Sequence, residues 1–252
     1  MNSTLNNDLQ SSFASWRRRG GYEAIILAGG LGTRLRSVVS NLPKCMAPVA
    51  GKPFLYFVIE YLLSQGIDKF IFSVGYKSEM IIEYVNTQYP MLNVQYSIEE
   101  EPLGTGGAVK FACGFATQKN VLVVNGDTIF KIDIEKLSAF HNSCAADCTL
   151  SLKPMHDFNR YGVVELNNDC SIASFKEKQQ YSSGLINGGV YALNVAGFLQ
   201  EDLPQKFSFE NDYLEQYFDK RKMYGVAQDG YFIDIGIPED FERAQSELGV
   251  RS

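Results

Sequence analysis

The chain has 252 residues, 45% of them hydrophobic and 21% charged, and a formal net charge of −6. That length suits one large α/β domain or two small ones with a sizeable buried core. The acidic balance argues against a nucleic-acid partner, since phosphate backbones select basic faces, and the absence of any apolar run of about 18 residues predicts no membrane span. A nucleotide substrate stays admissible, because a few local cations and a metal ion suffice to hold one.

Residues 1–21 are polar and Asn/Ser-rich and end in Arg17-Arg18-Arg19-Gly20-Gly21. They lack the apolar core of a signal peptide. Their composition admits an organellar transit peptide, but they read better as a disordered extension, which Trp16 could pin to the body. Residues 22–252 read as a single domain, without internal repeat or long linker. Within it, 22–28 is predicted to be a strand. Residues 53–65 are predicted to be a helix, with Pro53 in its first turn, Gly66 at its end and an apolar stripe of Leu55, Val58, Ile59, Leu62 and Leu63. Strand 69–74, helix 79–88 capped by Ser78, strand 94–98, helix 108–116 and strand 121–124 follow, then a helix over 133–141. This alternation predicts a parallel sheet with crossover helices. Beyond residue 147 short strands crowd together at 149–153, 161–166, 171–177 and 185–193, as in a mixed sheet with hairpins. An amphipathic helix at 209–220, strands at 223–227 and 231–235 and a closing helix at 238–248 complete the prediction.

The cysteines are Cys45, Cys113, Cys144, Cys148 and Cys170. An odd number in a chain this large argues against a disulfide framework and fits a reducing cytosol, hence a cytoplasmic location. His141, Cys144 and Cys148 hint at zinc but lack a fourth ligand, so small buried thiols are the simpler reading. His141 and His156 show no obvious partner and are predicted to lie at the surface.

The stretch 23–54 organises the chain. An apolar strand breaks at Gly29, Gly30 and Gly32, then delivers Arg34 and Lys44 and closes in Gly51-Lys52-Pro53. A glycine turn followed by fixed cations is suited to a polyphosphate. It is not a dinucleotide fingerprint, because the third glycine is missing. It is not a P-loop either, because Pro53 follows Gly51-Lys52. Asp127 and Asp234 stand at predicted strand ends, where open α/β sheets bind ligands. Each could cap a following turn, or the two could hold Mg²⁺, which takes one or two carboxylates together with phosphate oxygens and water. Glu177-Lys178 is either a solvated charge pair or a contact to a sugar phosphate. The turn 99–107 is glycine-rich, and its Glu99 and Glu101 are candidate acceptors for the ring N–H and amino group of guanine, with Gly106 and Gly107 allowing close approach.

The motif Leu27-Ala28-Gly29-Gly30-x-Gly32-Thr33-Arg34-Leu35, with Pro43-Lys44, Pro48-Val49 and Gly51-Lys52-Pro53, resembles the signature of the sugar-1-phosphate nucleotidylyltransferases. The resemblance covers residues 23 to 249. Cys45 departs from it, since relatives tend to have proline there. The resemblance implies a Rossmann-like three-layer sandwich with a mixed, mostly parallel central sheet. It implies that Leu27, Ala28, Gly29, Gly30, Gly32 and Thr33 wrap a nucleoside triphosphate, that Glu99, Pro102, Gly104 and Thr105 meet its base, and that Arg34 and Lys44 are catalytic. It gives Asp127 and Asp234 to Mg²⁺, and Gly162, Glu177, Lys178, Asn187 and Gly188 to the sugar phosphate. Segments 32–37, 102–107, 126–128 and 230–241 further imply GTP as donor and a D-glycero-D-manno-heptose 1-phosphate as acceptor. Acceptors such as mannose, glucose or N-acetyl-sugar 1-phosphates with other nucleotides stay open. So do a non-catalytic regulatory subunit that senses nucleotide sugars and a homo-oligomeric state. An NAD-binding oxidoreductase is disfavoured by the failed fingerprint.

Overall fold

The computed structural model describes residues 22–30 and 41–249. The expected N-terminal extension with Trp16, and Gly32, Thr33 and Arg34, lie outside the described residues. The described chain opens on β1 (Tyr22–Leu27). A 3-10 turn at Lys44–Met46 and the hairpin β2 (Pro48–Val49) and β3 (Lys52–Pro53) lead into α1 (Phe54–Ser64). Then come β4 (Ile67–Val74), α2 (Ser78–Gln88), β5 (Asn93–Ile98), α3 (Gly104–Cys113), β6 (Asn120–Asn125), β7 (Thr128–Phe130) and α4 (Ile134–Ser143). The second half holds β8 (Cys148–Phe158), β9 (Val163–Leu166), β10 (Ile172–Lys176), β11 (Tyr181–Asn194) and α5 (Val195–Leu199). A π-helical segment, Phe209–Leu214, runs into α6 (Glu215–Tyr217), followed by β12 (Met223–Ala227), β13 (Phe232–Asp234) and α7 (Pro238–Gly249).

Among the described residues nine strands form the main sheet, in the order β10-β9-β11-β6-β1-β4-β5, with β8 on β11 and β12 on β8. β6, β1, β4 and β5 are parallel, whereas β11 runs antiparallel to β6, β8 and β9. This is the expected α/β class. Strand alternation sends Ala24 and Ile26 into one apolar layer and Ile25 into the other. α1, α2 and α7 cover the first layer through Leu55, Val58, Ile81, Val85 and Phe241; α3, α5 and the π segment cover the second through Val109, Phe198, Phe209 and Tyr213. Covering both faces explains why the central strands read as unbroken apolar runs.

β11 has a bend that shapes the molecule. Its end, Val190 to Asn194, pairs with β6, while its start pairs with β8 out to Phe158. The register slips between Asn187 and Tyr191, where Gly189 takes a φ of +73°. A side chain on Gly188 would strike the Phe130 ring. The strand is therefore off β6 on the amino-terminal side of Val190, where a cleft opens between the two halves of the sheet.

Several expectations are corrected. α3 begins at Gly104, not at 108, because Gly106 and Gly107 take helical geometry under the segment carrying Phe207. Gly106 N donates to Phe207 O at 2.9 Å, and Phe207 N donates to Leu103 O at 3.0 Å. A Cβ on Gly106 would meet the Phe207 ring, so these glycines make room for protein rather than for a base. Ser78 is not a cap: Lys77, at φ 51°, precedes α2 without a side-chain cap bond. The helix expected over 209–220 is a π turn plus a short α segment. The wide turn buries Phe209, Tyr213 and Leu214 together, with the Phe198 and Tyr213 rings 4.7 Å apart. β8 and β11 are long strands rather than short ones. His141 is buried rather than at the surface, as α4 packs on β8, and its Nδ1 lies 2.9 Å from Thr149 Oγ1. Burial pushes its pKa down to about 4. His156 is exposed, as expected. Cys148 opens β8 as a buried free thiol, and among the described residues no group of three or more His, Cys, Asp or Glu could hold a metal ion. No helix among them is long and apolar enough to cross a membrane.

Candidate active site

The parallel strands aim their carboxyl ends at one place. Past β1 the chain runs through Ala28, Gly29 and Gly30, and past β6 through Gly126 to Asp127. Ala28 N donates to Ser73 O at 2.8 Å and Gly126 N donates to Leu27 O at 3.0 Å, which ties the three strand ends together. Gly126 has to be glycine, since a Cβ there would lie 2.8 Å from Leu27 O.

Two clefts adjoin at these ends. The first, of about 520 Å³, is lined by Leu27, Gly29, Gly30, Glu99, Pro102, Gly104 and Thr105. Ala28 is buried beneath it. Glu99 is engaged within the protein: Oε2 accepts Leu103 N at 3.0 Å and Oε1 accepts the Ser73 hydroxyl at 3.3 Å. This carboxylate thus folds the 99–104 turn onto the sheet, while Glu101 is exposed at the cleft. The second cleft, of about 780 Å³, occupies the opening made by β11. Gly162, Glu177, Lys178, Asn187 and Gly188 all line it. Asn187 pins the strand bend, accepting from Gly189 N at 3.0 Å and donating to the Tyr191 hydroxyl at 2.9 Å.

The clefts share Asn125, Asp127 and Glu210. At this junction the Lys44 ammonium bonds Asp127 and lies 3.3 Å from Asp234 Oδ1. The 3-10 turn presents Lys44, and the β7–β13 pair places Asp234 opposite Thr128. Ile235 N donates to Asp127 O at 3.1 Å and closes the arrangement. Burial works against the Lys44 charge, but Asp127 and Asp234 outweigh it and hold its pKa above the ordinary value. Burial raises the Asp234 carboxyl, and Asp127 adds to the rise while Lys44 and Arg160 oppose it. Among the described residues, one ammonium meets two carboxylates at this junction. Two hard oxygen donors beside a cleft with lysines on its walls fit a divalent ion whose remaining ligands are substrate oxygens and water. Cys45, next to Lys44, is fully buried, and burial together with Asp127 pushes its thiol up to about 12, so it offers no thiolate.

The structure thus brings Lys44, Asp127 and Asp234 into one charge centre, and the two groups of flanking residues into two clefts. Sequence reasoning missed Asn125, Ser208, Glu210 and Asn211, which line the clefts from β6 and the π segment. For the last two the only available signal was the polar side of an apparent amphipathic helix, which is indistinguishable from a solvated face.

An α/β sheet with paired clefts and a lysine–carboxylate centre at its strand ends defines a group-transfer enzyme on a nucleotide-binding type of fold. The chain belongs to the nucleotidyl transferase family, whose model matches residues 23–250. It is 55% identical to a D-glycero-alpha-D-manno-heptose 1-phosphate guanylyltransferase of Aneurinibacillus thermoaerophilus, over 90% of this chain and 98% of that one. It is 47% identical to a protein of the same description from Campylobacter jejuni, over 87% and 96%. A crystal structure of HddC from Yersinia pseudotuberculosis complexed with GMP-PN superposes with a TM-score of 0.80 at 40% identity, covering 90% of this chain and 99% of that chain.

Proposed function

We propose that the chain transfers GMP from GTP to D-glycero-D-manno-heptose 1-phosphate, giving the GDP-sugar and pyrophosphate. The observation that carries this is the placement of Lys44 between Asp127 and Asp234 where two clefts join, together with the likeness to guanylyltransferases over nearly the whole chain. A phosphate oxygen of the sugar phosphate attacks the α-phosphorus of GTP. The new P–O bond forms as the bond to the β-phosphate oxygen breaks, and pyrophosphate leaves with that electron pair. The nucleophile is already anionic, so the site has to orient and neutralise rather than abstract a proton.

In this reading the first cleft takes the nucleotide. Leu27, Ala28, Gly29, Gly30, Gly32 and Thr33 surround its phosphates, and Arg34 and Lys44 neutralise the departing charge. Glu99 shapes the turn, whose Pro102, Gly104 and Thr105 approach the base. Glu101, exposed at the same cleft, accepts from guanine. The second cleft takes the acceptor, with Lys178 on the phosphate, Glu177 and Asn187 on hydroxyls, and Gly162 and Gly188 leaving room. Asp127 and Asp234 would hold Mg²⁺, which when bound supplies charge neutralisation to the phosphate oxygens. We read residues 22–252 as one domain, since each cleft draws on both halves of the chain. Free thiols among the described residues and GTP as substrate support a cytoplasmic enzyme that supplies surface-glycan assembly.

Pyrophosphate release across four nucleoside triphosphates and heptose, mannose, glucose and N-acetylglucosamine 1-phosphates tests this. GTP with the heptose phosphate is expected to give the highest kcat/KM. A better rate with another pair would reassign the substrates, and no release with any pair would overturn the enzyme reading.

A further inference from the structure

The two clefts are joined by a hydrogen-bonded relay as well as by the charge centre. Thr105 lines the first cleft and not the second; Ser208 lines the second and not the first. Both hydroxyls donate to one carboxylate oxygen, Glu210 Oε2, Thr105 at 2.7 Å and Ser208 at 3.2 Å. Each hydroxyl also accepts a backbone N–H, from Phe209 on Thr105 Oγ1 at 2.9 Å and from Asn211 on Ser208 Oγ at 3.1 Å. Each proton direction is therefore fixed, and Glu210, which lines both clefts, is the shared terminus. Around the relay, the main-chain bonds between Leu103, Gly106 and Phe207 dock the start of α3 against the approach to the π segment. A shift of either wall must stretch bonds that the other wall helps to hold. Single π turns are common at functional sites, and this one places Glu210 and Asn211 at a cleft while its apolar residues stay in the core.

We propose that Glu210 is a positioning residue that couples the two clefts: a ligand that fixes Thr105 also fixes the wall carrying Ser208 and Asn211, and the reverse. Such coupling is reciprocal by thermodynamic necessity. The proposal rests on the two-substrate reading above, and it predicts effects across the molecule that neither cleft alone would give. Thr105→Val is expected to raise KM for the sugar phosphate about 3- to 10-fold, the net worth of one typical hydrogen bond, with a smaller change in kcat. Thr105→Ser, which keeps the hydroxyl, is expected to restore it. Ser208→Ala is expected to raise KM for GTP by a similar factor. In a Glu210→Gln background both effects are expected to shrink, because the relay has already lost its charged terminus.

Steady-state kinetics on these variants, each checked for an unchanged melting temperature, decides the matter. Cross-cleft changes in KM, rescue by serine and non-additivity with Glu210→Gln support the relay. Changes confined to each residue's own cleft, or full additivity with Glu210→Gln, overturn it while leaving the transferase reading intact. Should the wild type release no pyrophosphate, calorimetric titration with a non-hydrolysable GTP analogue replaces the kinetics. Weaker binding by Ser208→Ala then supports the relay, and unchanged binding overturns it.

Discussion

The parallel strands carry a charge cluster at each end, and the two are built on opposite plans. At the amino ends Glu23 of β1 faces Lys69 of β4 across the sheet, 3.2 Å apart and both buried. Glu23 accepts Thr117 N at 2.8 Å and Gln118 N at 3.1 Å as well as the Thr117 hydroxyl, and Lys69 donates to Phe115 O at 2.8 Å. Burial alone would raise the Glu23 carboxyl, yet the bonds from Thr117, Gln118 and Lys69 hold it below its usual value. Charges there balance one to one, and the protein supplies the partners. At the carboxyl ends, among the described residues, one ammonium serves two carboxylates and the centre opens onto a cleft. A buried charge kept for structure is closed and satisfied, because an unpaired one costs several kcal/mol. A centre kept for chemistry leaves partners for a ligand to provide. Both clusters are made of lysine and carboxylate on neighbouring elements, so the difference lies in what surrounds them.

Perturbing each cluster in turn sharpens this contrast. Chelation with EDTA is expected to abolish turnover and added Mg²⁺ to restore it, and Asp127→Asn or Asp234→Asn to prevent the restoration; turnover that survives chelation would place both aspartates with the structural kind. Lys44→Ala is expected to lower kcat/KM by about 10³ or more with the circular-dichroism spectrum retained, the range found when a charge-stabilising group is removed from a transfer site. Near-normal turnover would make its cluster a second structural pin. Glu23→Ala is expected to do the converse. It should cost about 3–5 kcal/mol of stability in denaturant titration, as when one partner of a buried pair is removed, while kcat per folded molecule is unchanged. A loss below about 1 kcal/mol would mean that the amino-end cluster is a surface-like pair.

The smallest effect concerns His141, a third buried group and one kept neutral. Burial pushes its pKa down to about 4, against an ordinary 6.5. Between these values the unfolded chain binds a proton that the folded chain refuses. The stability contribution is therefore full above about 6.5 and falls as the pH drops toward about 4, by at most about 1.4 kcal/mol per pH unit. Melting curves at neutral pH and at about pH 5 should show a larger drop for the wild type than for His141→Gln. Equal drops would assign the acid sensitivity elsewhere.

Much of the frame was legible beforehand. The runs 22–28, 69–74 and 121–124 became β1, β4 and β6, because a strand covered on both faces needs apolar residues throughout. Glycines 29 and 30 marked a turn at the sheet's carboxyl edge, and Asp127 and Asp234 sat at strand ends as expected. The errors fell where a distant element overrode a local preference. Gly106 and Gly107 looked like loop until Phe207 was seen to need the room. His141 looked solvated until α4 was seen to press it on Thr149. Glu210 lies in a segment expected as an amphipathic α-helix, whereas a π turn carries it to the clefts.

The kinds of element, their order and the chemistry of the candidate groups follow from periodicity, turn residues and side-chain type, which are local properties. Which charges meet depends on how the elements pack. Lys44 pairs with residues 83 and 190 positions away, a separation over which no local pattern specifies a partner. That pairing depends on the sheet bringing β6 and the β7–β13 pair to one edge, and on β11 bending away at Gly189 to open the second cleft. The glycine turn at residue 29 is a candidate phosphate holder by local pattern; the packing of strands far along the chain sets a second cleft beside it.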